Sequence, residues 1–226
     1  DDWNDHFYQA IEDWNEAGAL ELATVLDNEG PPCEKHTRGM VKTCNGDYGR
    51  TDWTGLNELL FENGWIVSSV AMMNENYLRN ARDVERQYVM CHELGHAWGL
   101  PHRDEIVGNR DLGTCLDYTI TPQNNMKPDE IDFENLSQMY GEMTIGRGRR
   151  LKMTASAGGA DMFVSSYANT THLAHGTKRR TTTRSTREGR SDRVLLHKSD
   201  SHEIWEEFLG NGRRLVTKVL LSTRRD

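Results

Sequence analysis

Residues 91–102, CHELGHAWGLPH, place three histidines and one glutamate within twelve positions, with Gly99 between the second and third histidine. In an α-helix, residues four apart sit one above the other, so His92 and His96 can aim their ring nitrogens at one point about 2 Å from each. Glu93 projects beside that point, where it can hydrogen-bond a water on a metal without ligating the metal. His102 follows His96 by only six residues, and a continuing helix would carry it away. A glycine at 99 permits the left-handed turn that ends the helix and swings His102 back to the same ion. The spacing predicts a cage of His92, His96 and His102 with one open coordination position.

A lone histidine is usually a surface or satisfied core residue, and a bare HExxH arises by chance. The extended form fixes five positions, and at ordinary residue frequencies its chance occurrence in a chain of this length is well under about one in a thousand. A structural zinc would close its fourth position with a further Cys or His at short spacing, and the one candidate, Cys91, points about 100° away from His92 on a helix. The expected cofactor is therefore a catalytic Zn2+.

The helix that carries the cage is predicted over Asp83–Leu100, with Val84, Tyr88, Cys91, Gly95 and Trp98 toward the core and Asn80 or Asp83 as the cap. Ahead of it, Trp3, Phe7, Ile11 and Trp14 form the stripe of an amphipathic helix. GMVKTCN reads as a strand closed by NGDYG, and GWIVSSVAMMNENYL as a strand with a polar end. PDEIDFENLSQMYGEM predicts a third helix, beginning near Pro128 and Asp129 and stopping at Gly141. Residues 146–192 are rich in Gly, Ser, Thr and Arg and are expected to be a disordered linker. Residues 193–222, alternating around GNG, predict a hairpin or three-strand appendage.

Charge follows the same division. The net charge is −8, but residues 1–146 hold 10 Lys/Arg against 27 Asp/Glu, whereas residues 147–193 hold 11 against 3. The acidic front part is a poor binder of nucleic acid. The basic stretch suits either a polyanion or a solvated linker, and we read it as the linker. No apolar run approaches the roughly 18 residues of a membrane span. The start at Asp1 leaves room for a signal or pro-segment removed ahead of it.

HExxHxxGxxH is the signature of the metzincin zinc peptidases, and this sequence resembles them over about residues 3–142, including the stretches VKTCNGDYGRTDWTGLNEL and IDFENLSQMYG. The resemblance implies an α/β (α+β) fold: a twisted mixed sheet with an active-site helix and a C-terminal helix, in a peptidase domain of residues 1–145. A strand precedes the first helix in such proteins; here Trp3 begins that helix almost at once, and the strand is expected to be missing. The family's methionine turn matches GTCLDYT, residues 113–119, where Leu116 stands in place of Met. Leucine is close in volume, so the exchange should cost less than about 1.5 kcal/mol and spare metal binding. Tyr118 matches a tyrosine that helps hold the developing oxyanion; a core tyrosine with a satisfied hydroxyl is nearly as good a reading.

Four cysteines allow three pairings. Cys33 and Cys44 flank a short loop, Cys91 precedes the first ligand and Cys115 precedes the floor residue, so we expect Cys33–Cys44 and Cys91–Cys115. Thiolate ligation by Cys91 is disfavoured because neighbours on a helix point about 100° apart. Disulfides imply an oxidising compartment, hence secretion or a lumen, and we expect a secreted, extracellular protein.

The function expected is hydrolysis of peptide bonds in a protein or peptide substrate, with Glu93 as general base and Tyr118 assisting at the oxyanion. The resemblance implies a substrate edge around Ile66–Asn74, with residues 119–128 lining the pocket for the side chain after the cut. Two alternatives stay open: an inactive metzincin-like binding module, motivated by Leu116 and the missing strand, and zinc-dependent hydrolysis of a non-peptide bond. Asp104, Glu105 and Asp111 lack EF-hand spacing and read as a solvated loop.

Overall fold

The computed structural model describes residues 3–20, 22–24, 33, 35–141, 153–154, 161–164 and 193–222. In chain order the elements are α1 (Asn4–Asn15), β1 (Leu22–Ala23), β2 (Met40–Gly46), β3 (Trp53–Glu62), β4 (Trp65–Asn74), α2 (Glu75–Leu78) and α3 (Asp83–Ala97). They continue with α4 (Glu130–Tyr140), β5 (Met153–Thr154), β6 (Asp161–Val164), β7 (Arg193–Lys198), β8 (His202–Gly210) and β9 (Arg213–Leu221). The fold is α+β, built on a mixed sheet in the order β1-β5-β6-β2-β4-β3-β9-β8-β7. Its six longer strands, β2 to β7 in that order, hold one parallel pair, β2 with β4; the remaining pairs among the six are antiparallel.

The β3–β4 hairpin turns at Asn63 and Gly64, both with positive φ, the conformation that Asn-Gly supplies to a two-residue loop. Asn211 and Gly212 do the same between β8 and β9. β3 alternates, burying Gly55, Asn57, Leu59 and Phe61, whereas β4 is buried along nearly its whole length because it has strands on both sides and α3 on one face.

Helix α1 presents the expected stripe: Phe7, Ile11 and Trp14 are buried, and the Trp14 indole donates to the Cys91 carbonyl on α3 at 3.2 Å. Helix α3 is buried on every side from Gln87 to Ala97, so it is a central helix rather than an amphipathic surface one. Its start is fixed by neither Asn80 nor Asp83. Arg82 is the N-cap, and its N–H donates to the Glu85 carboxylate at 2.9 Å. Helix α4 begins at the expected Asp129, which accepts from the Ile131 and Asp132 amides, and Gly141 is its C-cap. Arg103 bridges Asp129 and Asp132 at 2.7 and 3.1 Å, tying the loop after α3 to α4.

The sheet departs from expectation at three places. The strand over Ile66–Asn74 is not an edge: β4 lies between β2 and β3, because β2 pairs with it in parallel. Residues 193–222 form three strands, but β9 pairs with β3 from Trp53 to Glu62, so they extend the main sheet rather than hanging from it. Two short strands, β5 and β6, fall within the segment 146–192 read as a linker; the rest of that segment lies outside the described residues.

Candidate metal centre

Helix α3 carries His92, Glu93 and His96, all three essentially inaccessible to solvent. After Ala97 the chain reaches Gly99 with φ +97°, a left-handed conformation that a residue with a Cβ adopts only under strain. The turn returns His102 to the helix, and one nitrogen from each of His92, His96 and His102 lies within 4.8 Å of the other two. Nε2 of His96 and Nε2 of His102 are 2.8 Å apart.

The ring orientations are set by backbone acceptors. Nδ1 of His92 donates to the Cys115 carbonyl at 2.7 Å, and Nδ1 of His96 donates to the Leu100 carbonyl at 2.9 Å. A carbonyl can only accept, so each ring carries its proton on Nδ1 and presents a bare Nε2 lone pair inward. Nε2 of His92 is buried with no hydrogen-bond partner among the described residues. Burial, and then the neighbouring cationic groups, hold His92, His96 and His102 well below the usual imidazole range, so all three are neutral at pH 7. Three converging neutral imidazoles are a ligand set for a borderline divalent ion. Cys91 and Cys115 are joined in a disulfide, as are Cys33 and Cys44, which removes Cys91 as a thiolate ligand.

Glu93 turns toward β3. Both its carboxylate oxygens are buried without a hydrogen-bond partner among the described residues, and a Cβ at Gly55 would overlap Oε1 at 2.1 Å. Only glycine at that position of β3 leaves the carboxylate room. Burial pushes the Glu93 carboxyl well above its ordinary range, with Lys218 pulling it back.

Leu116 is fully buried beneath α3: a Cβ at Gly95 would stand 2.7 Å from Leu116 Cδ2 and 2.9 Å from Trp14. The floor residue thus packs into the notch left by the glycine that precedes His96. Tyr118, also buried, directs its hydroxyl at Nε2 of His102 over 3.0 Å, with the rings 4.6 Å apart. Beside it a cavity of about 100 Å³ is lined by Tyr88, Val89, Tyr118, Thr119, Ile120 and Pro122, among others.

Four residues at this centre carry no local sequence signal. Lys218 of β9 is buried under the end of α3, where burial pushes its ammonium down to about 7, and it donates to the Leu100 carbonyl at 2.6 Å. His202 of β8 packs its ring 4.5 Å from His102 and 5.1 Å from Tyr118. Glu105 lies in the exposed loop expected of Asp104, Glu105 and Asp111, and its carboxylate stands 3.5 Å from Nδ1 of His102, 3.1 Å from His202 and 3.3 Å from His197 of β7. Asp104 instead accepts from Ile106 and Asn109, and Asp111 from Thr119 and Thr121. His197, His202 and Lys218 come from some ninety to 120 residues downstream and meet the motif through the pairing of β9 with β3.

No described helix is long and apolar enough to cross a membrane. No family model, no curated protein and no solved structure matches the chain.

Proposed function

We propose that this chain is a secreted, metzincin-like zinc endopeptidase whose described form is latent. The observation that carries the reading is the convergence of three neutral imidazoles beside a buried carboxylate with no partner of its own. The donor set fits zinc: His92, His96 and His102 would hold it, each through Nε2, with the Nδ1 atoms of His92 and His96 locked by backbone carbonyls. A zinc ion bound there supplies a Lewis acid for a carbonyl and a water acidic enough to ionise near neutral pH.

The remaining chemistry belongs to side chains of this chain. Glu93, adjacent to His92 on the helix, takes a proton from water and passes it to the departing amine; a carboxyl whose affinity for protons is raised by burial suits both halves of that transfer. Tyr118 donates its hydroxyl to the developing oxyanion. The cavity bounded by Thr119, Ile120 and Pro122 suits the substrate side chain after the cut, the role expected of residues 119–128. The two disulfides suit an oxidising compartment and so support secretion.

The latent form follows from coverage. Glu93 lies against Gly55 of β3, so an extended substrate passing the carboxylate would add alongside β3, and β9 holds that edge over its whole length. The same coverage favours a second reading, a metal-binding module without turnover. Zinc analysis of the full, oxidised chain together with a peptide-library cleavage profile separates the two. The enzyme reading expects one zinc equivalent that His96→Ala releases, and cleavage that appears once β9 is loosened. A zinc content in His96→Ala equal to that of the unaltered chain would mean that the cage is misassigned.

A further inference from the structure

We propose that Glu105, His202 and the Nδ1 side of His102, with His197 at the rim, form a second cation site that fastens the metal loop to strands β7 and β8. It takes a borderline divalent ion of the zinc type, for which two or three imidazoles and a carboxylate are a suitable ligand set.

Three imidazole nitrogens surround one carboxylate. Oε1 of Glu105 is 3.5 Å from Nδ1 of His102 and 3.1 Å from Nε2 of His202, and Oε2 is 3.3 Å from Nε2 of His197. Bond lengths of about 2.0–2.1 Å around a tetrahedral ion put ligand atoms about 3.3 Å from one another, so these separations are those of neighbouring corners of one coordination shell. The potential ligand atoms of His102, Glu105 and His202 all lie within 4.8 Å of each other.

One carboxylate faces three imidazoles here, more than a single histidine–carboxylate pair requires. His202 is fully buried, and its Nε2 is turned to Oε1 of Glu105 at 3.1 Å. Its other nitrogen is fixed by Ser199 Oγ at 2.6 Å. The hairpin stacks His197 on His202 with ring centroids 4.6 Å apart and planes 14° from parallel, so both present Nε2 to the same carboxylate. The ligands come from two separate pieces of chain: the loop after Gly99, and strands that reach it through β9.

His102 would serve both sites, Nε2 to the first cage and Nδ1 to the second, and its Nδ1 proton leaves to solvent as the second ion enters. The second site rests on these residues and not on the peptidase reading.

The test is titration of the metal-free full chain with zinc alone, followed by calorimetry and elemental analysis. Wild type should take up two equivalents. His202→Ala should take up one, with affinity for the other weakened at least a hundredfold. Glu105→Gln, at a half-exposed position that tolerates an amide, should also take up one, and it decides the matter if His202→Ala does not fold. His96→Ala should retain the equivalent held by Glu105 and His202. A loss confined to His202→Ala and Glu105→Gln, with His96→Ala unchanged from wild type, would sustain this site while removing the first cage. Wild type saturating at one equivalent, or Glu105→Gln still binding two, would overturn it.

Discussion

Lys218 and Leu100, 118 positions apart, are joined by a 2.6 Å hydrogen bond from the ammonium to the carbonyl oxygen, and the same oxygen accepts Nδ1–H of His96. One backbone carbonyl in the turn after α3 therefore both fixes the tautomer of His96 and anchors β9 beside it. Metal loop and C-terminal strands form one packed unit, and loosening one should be felt in the other.

Val219 pairs with Leu56 of β3 on one side and Glu203 of β8 on the other. Proline there removes an N–H and cannot sit comfortably in a central strand. In Val219→Pro we expect β9 to leave the β3 edge and peptide cleavage to rise on the order of tenfold or more, since each 1.4 kcal/mol of cover removed is about a factor of ten. Hydrogen exchange showing β9 released with no gain in cleavage would favour the binding module.

In that loosened background, Glu93→Gln should keep its zinc and lose turnover by about 10²–10⁴-fold, because it removes the base and spares all three ligands. Undiminished hydrolysis of a casein or peptide substrate by this variant would exclude Glu93 from the proton transfer.

Gly99→Ala tests the turn. At φ +97° an added Cβ is strained, and it would also stand 2.9 Å from Ile66 and Met139. A loss of about 1–3 kcal/mol is expected, with a lowered Tm and weakened zinc binding as His102 is displaced. Normal zinc affinity would show that the third ligand needs no left-handed turn.

Acid should destabilise the metal-free protein. Burial depresses His92, His96 and His102 below their ordinary value of 6.5, so on acidification through that value the unfolded chain takes up protons that the folded one refuses. Each contributes a fall of about 1.4 kcal/mol per pH unit below about 6.5. Glu93, whose proton affinity is raised by burial, works in the opposite direction with one equal slope between its ordinary value of 4.5 and its folded value. His202, also lowered by burial, joins the three histidines, while Asp13, Asp117 and Asp132, raised by burial, join Glu93. Histidine has the highest ordinary value of these groups, so it governs the first steps below neutrality and stability falls there. The Tm of chelator-treated protein at about pH 7 and about pH 5.5 checks the sign, and a higher Tm in acid would contradict it.

The convergence of the three histidines was legible because its information is local. His92 and His96 need only a helix, and His102 needs only a residue that turns left-handed at 99; four positions in one short segment specify all of that. Leu116 and Tyr118 were legible by resemblance, and the structure places them under α3 and against His102. Glu105 is the exposed loop acid expected, but its partners, His197 and His202, were not legible because strands far along the chain contribute them. The edge assigned to Ile66–Asn74 failed similarly: alternation and length identify a strand but not which strands flank it.

What the sequence determined by itself is local, confined to a turn or so of helix and the bend after it: the imidazoles, their spacing, the carboxylate beside them and the cysteines that bracket them. Tertiary structure alone decided what stands over that chemistry. The pairing of β9 with β3 carries Lys218 and His202 to the site, and pairing register depends on hydrogen bonds between segments separated by more than 150 residues, which no local pattern encodes.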